Sequence, residues 1–181
     1  FLEQKPSDNR SHASWTRRGN AGTLSIKRRY LFPKTVLTIM FTKILAAVDG
    51  SEISARAVEK AADLAKQNNA ELHLIYVIET GFISPGPGDS VRDLVHQRFE
   101  AEGKETLEKL TAKAAEAGIT AEPHLEVGHA GNTIIETAEN LACDLIVVGS
   151  LGKSKLDRLL LGSVSSHVVN YAKTNILVIR N

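Results

Sequence analysis

The chain has few of the residues on which disulfide-stapled or membrane-spanning proteins depend. Its single cysteine, Cys143, allows no intrachain disulfide, so nothing in the sequence indicates a secreted disulfide framework. No apolar run approaches the roughly 20 residues that a transmembrane helix requires. We therefore expect a cytoplasmic protein without a membrane span. Cys143 lies in an apolar segment with no neighbouring histidine or cation, so a small buried hydrophobe is the expected role and a reactive thiol the alternative.

Methionine is equally scarce, since Met40 is the only one among 181 residues, and a regularly patterned sequence begins directly after it. Residues 1–39 show little helical or strand periodicity and carry eight of the 22 Lys and Arg residues but only two of the 21 acidic ones. We interpret residues 1–39 as a basic, disordered leader or a non-native extension. An organelle-targeting presequence and a basic arm for an acidic partner are the alternatives.

Residues 40–181 have the composition of one folded domain. The chain is 43% apolar and 24% charged, close to the averages of globular proteins, and long enough for one domain with a sizeable core. Once residues 1–39 are set aside, acidic residues outnumber basic ones. A mildly acidic domain argues against nucleic acid as the main partner.

Five short apolar segments alternate with helical patterns after Met40. The predicted strands are residues 43–49, 70–78, 119–128, 143–149 and 175–180. The predicted helices are residues 52–67, 89–117, 132–141 and 163–172. This alternation predicts an α/β fold, a single domain with a five-stranded parallel sheet and helices on both faces.

Local signals mark the ends and faces of these elements. Ser51 is the predicted N-cap of the first helix, and Gly118 the C-terminal stop of the second. Pro123 removes one ladder donor, which places the third strand near an edge or makes it partly irregular. The apolar stripe predicted for the second helix consists of Val91, Leu94, Val95, Phe99, Leu107, Leu110 and Ala114.

The carboxyl ends of the predicted strands are the places to look for a ligand. In a parallel sheet, ligands bind beyond those ends where the winding direction reverses. The first and fourth strands end at residues 49–51 and 149–150, which are the small and polar residues that a phosphate site needs. We therefore predict a site between the first and fourth strands.

Neither of the two standard nucleotide fingerprints is present. "GSLGKS", residues 149–154, has two residues where a Walker loop has four, and no GxGxxG follows the first strand. Gly152 is instead followed after nine residues by Gly162 and Ser163, at the start of a predicted helix. A helix N-terminus suits a phosphate, and Ser163 and Ser165 add hydroxyl donors. Taken singly, these residues have an ordinary alternative as turn glycines and a helix cap.

The remaining residues that could carry out chemistry lack the additional groups that a metal or catalytic site requires. The histidines, among them His73, His96, His124 and His129, show no metal-ligand spacing, so no metal-binding side chain is predicted. Ser163 and His167 lie four residues apart on a helix, but no orienting group or oxyanion hole accompanies them. The basic side chains of residues 153–158 are expected to be solvated.

The glycine pattern Gly149-x2-Gly152-x9-Gly162-Ser163 resembles the G-x2-G-x9-G-[ST] motif of the ATP-binding branch of the universal stress protein family. "ILAAVDGSEISARAVEKAADLA", "LIYVIE", "ACDLIVVGS" and "ILVIR" resemble the same family in order and spacing. The resemblance covers residues 40–181 and none of residues 1–39. It implies a Rossmann-like, adenine-nucleotide alpha hydrolase-like fold that binds ATP and dimerises through the last strand.

The resemblance also implies roles for individual residues. Ala47 and Asp49 would lie at the adenosine end, Val77 would meet the adenine through its backbone, and Val148 and Gly149 would continue toward the ribose. The residues that would hold the phosphates, with Mg²⁺ or Mn²⁺ bridging them, are Gly152, Gly162, Ser163, Val164 and Ser165. Ala130-Gly131 depart from the family, which often has a proline there, and we expect a freer loop at that point.

The expected function is that of an ATP-binding stress or signalling regulator that acts through its dimeric or conformational state. We expect a homodimer formed by residues 175–180, because an uncovered apolar edge strand invites pairing with a second chain. The alternatives are a slow ATPase or nucleotidyl transferase of the same superfamily, and a dimerising interaction domain without a ligand. No base or arginine suited to phosphoryl transfer is evident in the sequence.

Overall fold

The computed structural model describes residues 41–79, 90–151 and 161–180. Within these residues strands and helices alternate as predicted, and each boundary lies within two residues of its expected place. The strands are β1 (Lys43–Val48), β2 (Glu71–Glu79), β3 (Ala121–Gly128), β4 (Leu145–Gly149) and β5 (Asn175–Ile179). The helices are α1 (Glu52–Asn68), α2 (Ser90–Glu116), α3 (Ala130–Asn140) and α4 (Ser163–Tyr171).

The strands form one parallel sheet in the order β3-β2-β1-β4-β5, which confirms the predicted fold. The chain winds from β1 outward to β3, then crosses to the other side of β1 for β4 and β5. Ala46 of β1 consequently pairs with Leu74 of β2 and with Val147 of β4. The winding direction therefore reverses between β1 and β4, and such a reversal opens a crevice at the carboxyl ends of the two strands.

Helices cover both faces of the sheet. Successive residues of β1 point to opposite faces, because side chains alternate along a strand. Ala46 belongs to a core cluster with Leu107 of α2, whereas Leu45 packs in a second cluster with Ile134 of α3 and Val168 of α4. The sheet therefore separates an α1/α2 layer from an α3/α4 layer, and the predicted helices on both faces are confirmed.

Three of the local signals are confirmed. Ser51 is the N-cap of α1, and its hydroxyl oxygen accepts a hydrogen bond from the Ser54 N–H at 3.1 Å. Gly118 follows α2 with a φ of +83°, a conformation that glycine adopts without strain. Pro123 lies in β3, which pairs only with β2 among the described strands and so forms an edge of the sheet.

The predicted apolar stripe of α2 is wrong at Leu94 and Phe99, and the side chain of Val91 lies outside the described residues. Leu107, Leu110 and Ala114 are buried, but Leu94 is 66% exposed and Phe99 38% exposed. The reason is length, because 27 residues of helix extend about 40 Å at 1.5 Å per residue, whereas the nine residues of β2 span about 30 Å. Although α2 is the longest helix described, neither it nor any other helix in the described residues is long and apolar enough to cross a membrane.

Candidate functional site

A cavity of about 410 Å³ lies where β1 and β4 end. Its size falls in the range typical of small-molecule sites, which is about 300–1,000 Å³. Every predicted site residue that the structure describes lines this cavity: Ala47, Asp49, Val77, Val148, Gly149, Gly162, Ser163, Val164 and Ser165. Gly152, the remaining predicted residue, lies outside the described residues, as do the basic residues at 153, 155 and 158.

The floor of the cavity is apolar. Ala47 of β1, Val77 of β2 and Val148 of β4 line it from three neighbouring strands, and Val148 is buried. Ile75 and Ile134 also line it, and the sequence analysis did not assign either residue to the site. Ile134 lies on the buried face of α3. The same inward face reaches both the core and the cavity, so periodicity alone did not distinguish the two roles.

The end of β1 forms a tight turn that places the Asp49 carboxylate at the cavity. Asp49 Oδ1 accepts a hydrogen bond from the Ser51 N–H at 3.0 Å, and Gly50 between them has a φ of +81°. The Ser54 hydroxyl donates to the Ser51 carbonyl at 2.9 Å and also lines the cavity, a contact that the sequence analysis missed. These bonds hold the turn at the cavity that Asp49 lines.

The N-terminus of α4 also lines the cavity. Gly162 is the N-cap, and its N–H donates to the Ser150 carbonyl at 2.8 Å, which brings the chain back beside the end of β4. The first N–H groups of a helix have no intrahelical acceptor, and glycine has no side chain with which to cap them. Together with the helix dipole, these N–H groups form a ready-made site for an anion.

The two serines of this turn differ in what their hydroxyls can do. Ser163 is exposed at the cavity, so its hydroxyl is free to meet a ligand. Ser165 is buried, and its hydroxyl donates to the carbonyl of Gly149. A hydroxyl has one proton to donate, so Ser165 reaches a phosphate as a donor only through its backbone N–H while this bond persists.

Gly149 is needed for close packing at the end of β4. A Cβ atom at this position would lie 2.8 Å from Cγ2 of Ile53, a separation at which one of the two must move. Ile53 belongs to the first turn of α1 and is buried. Gly149 therefore lets α1 and β4 approach each other beside the cavity.

The expectation of a freer loop at Ala130-Gly131 is wrong, because both residues lie in the first turn of α3. Glu79, at the end of β2, anchors that turn by accepting a hydrogen bond from the Ala130 N–H at 3.0 Å. Gly131 is buried against His167 of α4, where an added Cβ would lie 2.6 Å from the ring. The carboxylate and the close helix contact fix this segment without a proline.

A second cavity of about 280 Å³ adjoins the first and shares Ala130, Ser163 and Val164 with it. Its polar lining includes Glu79 and His129, whose Oε1 and Nδ1 atoms are 2.8 Å apart. His167 Nε2 lies 2.6 Å from Asn132 Oδ1, so this ring nitrogen is engaged by Asn132 rather than by Ser163. The structure therefore gives no support to a Ser163–His167 nucleophile.

Cys143 is 7% exposed, which confirms the expected buried hydrophobe. Burial raises the pKa of its thiol to about 11. The thiolate is the reactive form, so the thiol is inert near neutral pH.

A sequence model of the universal stress protein family matches residues 40–180. The chain belongs to the universal stress protein family. A universal stress protein of Methanocaldococcus jannaschii is 35% identical over 141 residues, which make up 78% of this chain and 83% of that protein. The family assignment that the glycine pattern indicated is thereby confirmed.

Solved structures of universal stress proteins share this fold. The universal stress protein UspA from Lactobacillus plantarum matches with a TM-score of 0.72 at 27% identity, covering 78% of this chain and 99% of that one. A universal stress protein in complex with cAMP matches with a TM-score of 0.61 at 27% identity, covering 78% of this chain and 98% of that one. A family member from Arabidopsis thaliana with AMP bound matches with a TM-score of 0.56 at 26% identity, covering 77% of this chain and 92% of that one.

Proposed function

We propose that this universal stress protein binds ATP between β1 and β4 and acts as a nucleotide-dependent stress or signalling regulator. The observation that carries the proposal is the arrangement of the larger cavity. Apolar residues from three strands and the N-terminus of α4 line the same cavity. A flat apolar base and a polyanionic phosphate chain need these two environments side by side.

The proposed binding mode assigns the adenosine to the strand ends. Ala47, Val77 and Val148 provide apolar contact for the adenine, and Val77 also presents backbone polar groups at the end of β2. Asp49 lies at the adenosine end, where its second carboxylate oxygen accepts from ribose hydroxyls. Gly149 allows the ribose to approach the backbone closely.

The phosphates are assigned to the first turn of α4 and to the glycine loop. The N–H groups of Ser163, Val164 and Ser165, with the Ser163 hydroxyl, supply the donors, and Gly152 completes this set in the proposal. Asp49 is the only carboxylate among the described lining residues, and it belongs to the adenosine end. A Mg²⁺ or Mn²⁺ ion would therefore be held mainly by the phosphate oxygens.

Two relatives support the adenine nucleotide as the ligand class. One is a universal stress protein in complex with cAMP, and another has AMP bound. These ligands share adenine, ribose and one phosphate. The proposal of ATP rests in addition on the two-part glycine motif and on the unfilled amides of α4, which suit further phosphates.

The alternative of a slow ATPase or nucleotidyl transferase is favoured by one observation. The pair formed by Glu79 and His129 lines the cavity that adjoins the proposed phosphate end. A histidine oriented by a carboxylate is a common form of general base. The two candidates differ in the fate of bound ATP, since a regulator retains it and an enzyme releases ADP, AMP or phosphate.

The proposal extends to the whole chain. We take residues 40–181 as a cytoplasmic domain that forms a homodimer through residues 175–180, and residues 1–39 as a basic leader or a non-native extension. The edge strand β5 presents half-buried apolar side chains at Ile176, Leu177, Val178 and Ile179. Its outer backbone groups are available for pairing with a second copy.

Titration of ATP into the nucleotide-free full chain, followed by calorimetry, tests the site. Combining Gly162→Val with Ser163→Ala should weaken ATP binding by at least about tenfold, or 1.4 kcal/mol, because it obstructs the approach to the α4 amides and removes a hydroxyl. Gly162 has φ −62° and ψ 161°, which valine also adopts, so the fold should persist.

Ser166→Ala is the matched control, because Ser166 lies on the same helix but does not line the cavity. Its ATP affinity should equal that of the wild type. Unchanged affinity in the double variant, with an unchanged circular dichroism spectrum, would refute the site.

A further inference from the structure

Two histidines and a glutamate from neighbouring strands converge outside the nucleotide cavity. His73 lies near the start of β2, and His124 and Glu122 lie on the same face of β3, since they are two residues apart. One ligand atom from each of the three lies within 4.8 Å of the other two. The sequence analysis predicted no metal ligands, because it looked for spacing within a segment and these residues come from strands some fifty positions apart.

The separations fit ligands of one small cation. His73 Nδ1 lies 3.1 Å from His124 Nε2 and 3.5 Å from Glu122 Oε2. Two ligand atoms at about 2.0–2.1 Å from a tetrahedral Zn²⁺ are about 3.3 Å apart. Both separations from His73 Nδ1 are therefore close to the distance between two ligands of one tetrahedral ion, before any movement.

His73 has an unresolved hydrogen-bonding problem that a cation would remove. It is 4% exposed, and its Nε2 has no hydrogen-bond partner, although Glu71 Oε2 lies 3.6 Å away. If Nδ1 carries the proton and donates to His124, the bare Nε2 faces the Glu71 carboxylate. If Nε2 carries the proton instead, then Nδ1 is unprotonated and its lone pair faces the Glu122 carboxylate.

A cation between the three atoms accepts all three lone pairs at once. The proton of His73 then stays on Nε2 and points to Glu71, which is the carboxylate–histidine–metal arrangement of many metal sites.

We propose that His73 Nδ1, His124 Nε2 and Glu122 Oε2 form a binding site for a divalent transition-metal ion on β2 and β3. Two imidazoles and one carboxylate suit Zn²⁺ best, with water in the fourth position. Glu71 orients His73 and is itself paired with Lys43 Nζ at 3.1 Å. The ion fastens the edge strand β3 to β2.

This site does not depend on the nucleotide. Its residues belong to the start of β2 and the middle of β3, whereas the proposed ATP cavity lies at the carboxyl ends of β1 and β4. A cation that accompanies ATP is carried by phosphates, so it disappears when the nucleotide is removed. Metal binding to nucleotide-free protein therefore separates the two proposals.

Calorimetric titration of Zn²⁺ into the untagged, nucleotide-free full chain tests the proposal. The wild type and the Gly162→Val, Ser163→Ala double variant should both bind one Zn²⁺ per chain at this site. His124→Gln and Glu122→Gln should each weaken that binding at least about tenfold, because each removes one of three protein ligands. Both residues are at least partly exposed, so these variants avoid disturbing the buried His73.

His129→Gln is the matched control, because His129 also pairs with a glutamate but offers no third ligand among the described residues. It should leave Zn²⁺ affinity unchanged. Co²⁺ bound in place of Zn²⁺ should give the intense visible absorption of a four- or five-coordinate ion, and His124→Gln should abolish it. The proposal is overturned if no Zn²⁺ binds, or if His124→Gln and Glu122→Gln bind it as tightly as the wild type.

Discussion

At the scale of single residues, small side chains allow the close packing of helices and strands around the cavity. Gly149 lets α1 approach β4 beside Ile53, and Gly131 lets α3 approach the ring of His167. Ser165 fastens α4 to the end of β4 through the Gly149 carbonyl. The Asp49 turn and the first turn of α4 line this same cavity.

The cavity residues at strand ends and in the first turn of α4 were predictable from the sequence, and those that reach the cavity from α1 and α3 were not. Asp49 and Gly149 follow apolar strands whose ends are easily recognised, so their meeting at one cavity follows from a parallel sheet. Ile134 and Ser54 line the same cavity from helices, where an inward-facing side chain meets either the core or a ligand. Their roles require the helix positions, which periodicity does not supply.

The single thiol gives a prediction at this scale. Burial raises the pKa of Cys143 to about 11 from an ordinary 9.0, so native protein should react very slowly with a disulfide reagent near pH 8, whereas unfolded protein should react at once. Between pH 9.0 and about pH 11, the thiol of the unfolded chain loses a proton that the thiol of the folded chain keeps. The contribution of Cys143 to stability therefore falls as the pH rises through this window. Rapid reaction of the native thiol would contradict the buried placement.

At the scale of elements, the ends of strands and helices are held by side chains that are distant in sequence. Glu79 at the end of β2 accepts from the first turn of α3. Asp144, just before β4, accepts from the Thr42 N–H at 2.7 Å, the Thr42 hydroxyl at 2.8 Å and the Lys43 N–H at 3.2 Å. The strand order explains this second contact, because β1 and β4 begin side by side.

Asp144→Asn should lower the free energy of unfolding by about 1–2 kcal/mol near neutral pH, because it weakens charge-assisted hydrogen bonds to β1. Burial alone would raise the pKa of Asp144, but the bonds from Thr42 and Lys43 outweigh it and lower the pKa below 3.8. The contribution is therefore present above that pH and is lost as the pH falls through the lowered pKa.

Urea unfolding of wild type and Asp144→Asn, at neutral and at acidic pH, checks this prediction. The difference between the two proteins should shrink in acid. Glu108→Gln, on an exposed position of α2, is the control and should change little at either pH. A difference that stays constant down to acidic pH would show that the Asp144 charge is not responsible.

Element types and boundaries were predictable because apolar periods and end signals agree along this chain. The exposure of Leu94 and Phe99 was not, because it depends on how far α2 extends past the strands beneath it. The proximity of His73 to His124 was also not predictable, since it depends on the register between β2 and β3. Helix length relative to the sheet and strand register are tertiary properties.

At the scale of the whole molecule, the two edges of the sheet differ in how they meet solvent. The β3 edge carries Pro123 and exposed glutamates at 122 and 126, which discourage pairing with another strand. The β5 edge carries no charged side chain between Asn175 and Ile179. The proposed homodimer should therefore form through β5 and not through β3.

Analytical ultracentrifugation of the full chain at high micromolar concentration should give the mass of a dimer. Val178→Lys on β5 should shift the mass toward that of a monomer, because it places a charge in the proposed interface. Val127→Lys on the β3 edge is the matched control and should remain dimeric, since Val127 is already 50% exposed. A monomeric wild type, or dissociation caused only by Val127→Lys, would contradict a β5 interface.

The central claim is that the cavity between β1 and β4 binds ATP and holds it without turnover. The most direct measurement is mass spectrometry and quantitative chromatography of the small molecules released by acid from natively purified protein loaded with ATP and sampled over several hours. The account predicts about one ATP per chain throughout for the wild type and much less for the Gly162→Val, Ser163→Ala variant. Equal ATP in both proteins would contradict the site, and steady accumulation of ADP or AMP would contradict a regulator that retains its ligand.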